Sequence, residues 1–364
     1  MSVRGAAKQV YTTVEQNVKE KMKKIAVVLL GILLVSFIIF SGCKKKTVKI
    51  GVAVPPVAPG WTGGIGWWAD YKVNELQNKY PYIQFNVVHS GRAAKQTADV
   101  EELAAWGMDY LVIFPLQVTP LTEQLKKLAA DGVRIIVVDR GIAADDFGYV
   151  NITGDHAGLG RVSGEWLAKT MTAEGLTHYV AMGGMPSDAD AKRMNAFFTE
   201  MEKEPSLVNL LYTDQEPEQI ADCCVVKGKY EFANWSRENG LLLMQSFLYQ
   251  FPQIDAVFCQ DDDVLTGVLQ AIKEADRTGI KIVMGGSGSR PVYQMIMNGD
   301  PLVRATALYH PSLVADGIQY AVDVANGKKS ARFARAKQPL TKIIPSVLID
   351  KSNVERYYNP DSVF

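Results

Sequence analysis

The chain has 364 residues, 48% hydrophobic and 21% charged, an ordinary balance for a globular protein with room for two domains. Lys+Arg 39 equals Asp+Glu 39, so no basic field exists to hold nucleic acid, which disfavours nucleases and DNA-binding regulators. His89, His156, His178 and His310 are scattered without ligand spacing, and no metal is expected.

Residues 1–21 are mostly polar, carry no targeting pattern, and read as a mis-assigned extension ahead of a start at Met22. Lys23 and Lys24 then precede an apolar run from Ile25 to Phe40, broken only by Gly31 and Ser36. Positive charge, apolar run and small residues make residues 22–43 an export signal. Its end, Ser41, Gly42 and Cys43, resembles a bacterial lipobox, in which the cysteine is diacylated and becomes the new N-terminus; Phe40 stands where leucine is usual. An uncleaved membrane anchor is the alternative, because the run is only slightly short of a span. Both readings tether everything after Cys43 to a membrane, outside the cytoplasm. Residues 44–47 are a basic tether. Cys223, Cys224 and Cys259 then remain, an odd number. Either Cys223 or Cys224 bridges Cys259, or all three are buried free thiols.

From Val48 a rhythm of short apolar runs and helical patterns begins. Strands are expected at 48–54, 83–88, 110–114 and 134–138, with helices at 67–76, 100–106 and 121–130. The rhythm restarts at 149–152. Asp155 is placed to cap a helix carrying Leu159, Val162, Trp166 and Leu167. Strands follow at 179–182, 208–212, 256–258, 281–284 and 305–308, with helices at 193–201 and 313–325 and a tail strand within 343–349. Residues 214–234 are polar and long, and read as an inserted loop. Val/Ile runs without alternation indicate strands covered on both faces, hence parallel sheets with helices on each side. The fold class is α/β, with two doubly wound lobes.

Ligands of such sheets bind beyond the carboxyl ends of the strands. That is where Asp139 and Arg140, Gln260 to Asp263, Gly285 to Ser289, and Tyr309 with His310 fall. Trp61, Trp67, Trp68 and Trp235 add aromatic surface. Carboxylates that accept, guanidiniums that donate and aromatic faces that cover C–H groups suit a sugar or polyol. Asp261, Asp262 and Asp263 are consecutive and cannot converge on a metal; a helix cap is their simpler role.

The order of these motifs, over essentially all of Val48 to the C-terminus, resembles the ribose/galactose-type solute-binding proteins of ABC transporters, with the type I periplasmic binding protein fold. The resemblance implies ligand contacts at Asp139, Arg140, Arg193, Trp235 and Asp261, no cofactor, and a monomer that serves permease subunits. It also implies three crossings between lobes, near Thr153, Tyr309 and Ile343. The first lobe would hold 48–152 and 310–342, the second 153–309 and 343–364. Ser287 replaces a ligand-gripping aspartate of that family, Tyr309 stands where a ribose binder has glutamine, and the loop from Pro55 to Trp68 is unusually long and rich in glycine and tryptophan. An altered sugar or polyol is therefore expected.

Two other functions compete. A sugar receptor for chemotaxis or a sensor kinase would use the same closed form. An NAD-dependent oxidoreductase is suggested by Gly64, Gly66 and Ala69, which match G-x-G-x-x-A. That fingerprint should follow the first strand directly, with an acid ending the second, and neither holds here. No G-x-S-x-G nucleophile elbow occurs.

Overall fold

The uninterrupted apolar runs form interior strands of two mostly parallel sheets, where both faces are covered and alternation has no purpose. The computed structural model describes residues 20–24, 26, 46–142, 144–212, 218–220, 223–225, 229–329 and 338–364. The chain divides into two compact units, Met1–Thr47 and Val48–Phe364. In the first, residues 20–24 and 26 are helical, and the lipobox with Cys43 lies outside the described residues. Among the described residues no helix is long and apolar enough to cross a membrane.

The second unit runs β1 (Val48–Val54), α1 (Trp61–Lys79), β2 (Ile83–His89), α2 (Ala93–Trp106), β3 (Tyr110–Ile113), α3 (Thr119–Ala130), β4 (Arg134–Val138) and β5 (Val150–Gly154). It continues with α4 (His156–Glu174), β6 (His178–Gly183), α5 (Asp188–Met201), β7 (Val208–Asn209), β8 (Glu218–Ile220), β9 (Cys223–Val225) and β10 (Glu231–Phe232). Then come α6 (Arg237–Gln250), β11 (Ala256–Cys259), α7 (Asp262–Glu274), β12 (Ile282–Ser287), α8 (Arg290–Asn298) and β13 (Ala305–Leu308). It closes with α9 (Leu313–Ala325), β14 (Leu340–Ile344) and β15 (Leu348–Asp350).

Among the described residues the first sheet has six parallel strands in the order β14-β5-β4-β3-β1-β2. The second has seven, β10-β6-β11-β12-β13-β15 with β7 also beside β6, and β15 alone is antiparallel. The chain passes between sheets after β5, after β13 and after β14. Helix α9 returns to the first sheet and packs on α1, β3, β4 and β5.

Several expectations need correction. Helix α1 begins at Trp61, not Trp67, so the first loop is short. Its glycines permit close packing: a Cβ on Gly66 would lie 2.4 Å from the Pro55 carbonyl oxygen. The G-x-G-x-x-A match is therefore a helix surface pressed on its own loop. The polar connection contains the antiparallel hairpin β8–β9 and the sheet strand β10, and the run at 208–212 yields only the two-residue β7. Thr153 and Gly154 complete β5, and Ile343 and Ile344 complete β14, so the first sheet reaches past residues 152 and 342. Cys259 is a free, buried thiol, while the side chains of Cys223 and Cys224 lie outside the described residues.

Helices α4 and α5 pack at backbone distance. A Cβ on Gly160 would fall 1.9 Å from the carbonyl oxygen of Arg193, which no rotamer change relieves. Gly160→Ala must push α5 away, and overpacking of this kind costs about 1–3 kcal/mol. Chemical denaturation should report a loss in that range; an unchanged midpoint would remove the close-packing account.

Candidate ligand-binding cleft

Ile135 to Val138 are completely buried in β4, and a strand held this firmly sets where the chain emerges at its carboxyl end. The next residue, Asp139, turns the chain with φ 67° while its amide still bonds to Ile152 O at 2.8 Å. Its side chain thereby enters a cavity of about 1050 Å³ between the sheets. Asp139 Oδ1 accepts the Tyr309 hydroxyl at 2.5 Å. Arg140 lines the same cavity: its Nη1 donates to Leu116 O at 3.1 Å and its guanidinium lies 5.3 Å from the Phe114 ring centre.

The opposite wall is built on buried Asp190. Its carboxylate accepts from Gly184 N at 2.5 Å, Gln260 Nε2 at 2.7 Å and Tyr230 Oη at 2.7 Å. Gln260 Oε1 in turn accepts from Trp235 Nε1 at 3.1 Å and Arg193 Nη1 at 3.4 Å. Two of the second-lobe residues implied by the resemblance, Arg193 and Trp235, thus hang from one glutamine. Arg193 Nε also donates to His156 Nδ1 at 3.2 Å, and its guanidinium lies 4.4 Å from the Tyr309 ring centre.

The floor is formed where β12 and α7 meet. Asp261 caps α7 by accepting from Asp263 N at 2.8 Å, and its other oxygen accepts from Ser287 Oγ at 2.8 Å. Asp262 lies beneath, accepting from Gly288 N at 3.0 Å, Ser289 N at 2.6 Å and Thr306 Oγ1 at 3.0 Å.

A family model for the periplasmic binding protein domain matches residues 50–329. The chain belongs to the periplasmic binding protein family. Its relatives include the xylitol-binding protein of Mycolicibacterium smegmatis, 26% identical over 262 residues, which are 71% of this chain and 67% of that one. Another is the D-xylose-binding periplasmic protein of Escherichia coli, 25% identical over 75% of this chain and 78% of its own. Among solved structures, an ABC transporter solute binding protein from Bacillus halodurans with bound myo-inositol is 20% identical, with TM-score 0.65. It covers 86% of this chain and 98% of that one, which supports the fold.

In this periplasmic binding protein the cavity brings together Trp61, Asp139, Arg140, Arg193, Trp235, Asp261, Ser287 and Tyr309. Trp67 and Trp68 are not among its lining residues. They lie nearly two turns further along α1 than Trp61, about 9–10 Å down its axis at about 1.5 Å per residue. Trp67 stacks on Tyr71 at 5.1 Å, and Trp68 meets His310 edge-on at 5.3 Å. Trp61, by contrast, sits at the helix start and donates to Tyr309 O at 2.6 Å. Sequence reasoning missed His156 and Asn151, and gave Gln260 a strand-end place without its role of holding Trp235 and Arg193. The position of His156, directly after the Asp155 cap at a strand end, was the available signal. Among the described residues no cluster of His, Cys, Asp and Glu could hold a metal.

Burial governs the charges here. It raises Asp139, against the Tyr309 bond and the charges of Arg193 and Arg140. Asp261 is pushed up to about 6 by burial and the charge of Asp263, and His156 is pulled down to about 3 by burial and Arg193. Complete burial, with the charge of Asp261 adding to it, pushes Asp262 up to about 8 despite its bonds from Ser289 and Thr306. The unfolded carboxyl titrates at 3.8, so between about pH 4 and 8 the folded protein keeps a proton that the unfolded chain has lost. Asp262 therefore contributes less stability as pH rises through that window, then levels off. Asp262→Asn keeps the acceptor for Gly288 and Ser289 but cannot ionise. Its melting temperature relative to wild type should climb from pH 5 to 8 and flatten above; a constant offset would contradict the assignment.

Proposed function

We propose that this protein captures a small neutral sugar or polyol in its interlobe cleft and delivers it to the permease subunits of an ABC transporter. One observation carries the reading: Asp139 and Arg140 on one wall share a cavity with Arg193 on the other. Acceptors and donors of opposite charge, side by side, suit hydroxyl groups, which both give and take hydrogen bonds. Trp61 and Trp235 supply aromatic surface for the C–H faces of such a ligand, and Asp261 with Ser287 offers a second polar edge. The names of the relatives, binders of xylitol, ribose, apiose and xylose, support this class.

The protein works outside the cytoplasm, as its family implies, and the ligand leaves as it entered, without reaction. The lobes close over the ligand by bending at the three passes between sheets. The chain acts as a monomer.

A thermal-shift panel of pentoses, hexoses, pentitols and inositols tests the ligand class, because binding raises apparent stability by about 2.7 kcal/mol at a hundredfold excess over Kd. A sugar or polyol should raise the melting temperature, and Asp139→Ala should abolish most of that rise. Stabilisation by amino acids or nucleosides, with none by any sugar or polyol, refutes the class.

The tether is a diacylglyceryl group on Cys43, supported by the basic, apolar and small-residue order of residues 22–43. Cells fed a clickable palmitate analogue should label the wild type and leave Cys43→Ser dark. Equal labelling favours an uncleaved anchor instead.

A further inference from the structure

Hydrogen bonds in the cleft form a chain with one direction. The guanidinium of Arg193 can only donate, so His156 Nδ1 accepts from its Nε at 3.2 Å and must be unprotonated. The imidazole proton then sits on Nε2, which lies 3.2 Å from the Tyr309 hydroxyl oxygen. Tyr309 passes its own proton to Asp139 Oδ1 at 2.5 Å. The chain starts on α5, crosses the first residue of α4 and the second pass between sheets, and ends beyond β4.

This occupies Tyr309 fully. Its hydroxyl gives one bond and receives one, with Thr153 Oγ1 a further 3.4 Å neighbour. The residue is 4% exposed, and its ring stacks on His156 at 4.8 Å and tilts against Trp61 at 5.8 Å. Little of Tyr309 is left to offer a ligand. The opposite holds at the chain's ends: among the described residues, neither the second carboxylate oxygen of Asp139 nor Nη2 of Arg193 has a protein hydrogen-bond partner.

We propose that His156 and Tyr309 are positioning residues, which aim the free oxygen of Asp139 and the free nitrogen of Arg193 at one ligand from opposite lobes. The proposal rests on the reading of the cleft as a sugar or polyol site. It assigns Tyr309 to the wall, in place of the ligand contact that its position at a strand end suggests. It also explains why His156 must stay neutral: a second ring proton on Nδ1 would face the Arg193 guanidinium, and the link to Arg193 would break. The charged and titratable groups facing Asp139 are Arg140, Arg193, Tyr309 and His156. Of these, the Tyr309 bond favours its ionised form most directly.

Two measurements test this, the first without ligand. Nitrogen-15 NMR of histidine-labelled protein should find His156 as the Nε2–H tautomer, neutral at pH 7 and still neutral at pH 5. A charged imidazole, or the Nδ1–H tautomer, overturns the proposal. Carboxyl carbon-13 titration should place Asp139 higher in Tyr309→Phe than in wild type, and an unmoved titration is equally fatal.

The second is calorimetric titration with xylitol, D-ribose and myo-inositol. For a probe that binds, His156→Phe keeps a ring but loses both hydrogen bonds, and should weaken affinity about ten- to a hundred-fold. His156→Gln can accept from Arg193 and donate to Tyr309, and should restore most of it. In Tyr309→Phe the acid limb of binding should move to higher pH. Equal losses in the Phe and Gln variants of His156, or an acid limb that stays put, refute the positioning role while leaving the ligand class intact. If none of the three binds wild type, the thermal-shift panel decides the ligand class, and the two NMR readouts decide the chain itself.

Discussion

Burying acids between two lobes is expensive, and the cleft gives Asp190, Asp261 and Asp262 two or more hydrogen-bond partners each. An unpaired carboxylate in such a place would cost several kcal/mol. Asp190 is the clearest case: completely buried, it accepts from one backbone amide, one amide side chain and one phenol. Those partners are the means by which Trp235 and Arg193 are held, because Gln260 bonds Asp190 with its nitrogen and both of them with its oxygen. Satisfying one buried acid therefore sets the wall of the cleft. The same logic recurs at the floor, where Asp262 secures the turn after β12 and Asp261 holds Ser287.

The passes between sheets are coupled to one another. Asp155 N donates to Ile344 O at 2.9 Å, and Ser346 Oγ donates to Asp155 O at 3.0 Å, joining the first pass to the third. Leu308 N donates to Val347 O at 2.8 Å, joining the second to the third. Bending at one pass alone would break these bonds, so motion at the hinge must involve all three as a ribbon. Tyr309 sits in that ribbon, which places one polar link of the cleft wall on the axis of any bending.

Much of the fold was legible because its strongest signals are local. Val/Ile runs gave the interior strands, and Asp155 and Asp261 cap helices as their positions require, through bonds to Gly158 N and Asp263 N. Asp139 and Arg140 were legible from the apolar strand that ends at them. What failed depended on distant contacts. Gly63, Gly64 and Gly66 read as loop residues because glycine is a poor helix former, and only the approach of Ala58, Pro311 and Pro55 respectively gives them a reason to be helical. Trp67 and Trp68 read as ligand contacts because they follow Trp61 closely in sequence, whereas the early helix start carries them nearly two turns down its axis from the cavity. His156 escaped because a lone histidine has no periodicity; its role comes from Arg193 and Tyr309, which are remote in sequence.

Left-handed backbone is concentrated at this cleft. Asp139 at φ 67°, Trp235 at φ 50° and Ser287 at φ 95° are three of the five non-glycine residues in that region among those described, and all three line the cavity. Such conformations cost about 1–3 kcal/mol each for most side chains, least for glycine, asparagine and aspartate, and most for β-branched ones. The alphabet open to mutation at these positions is thus narrow before any ligand is considered. Valine, isoleucine and threonine are penalised by the backbone alone, so a bulkier or greasier pocket is hard to reach by change at position 287. Short polar residues are the accessible neighbours there. Drift at that floor position therefore stays within hydrogen-bonding chemistry.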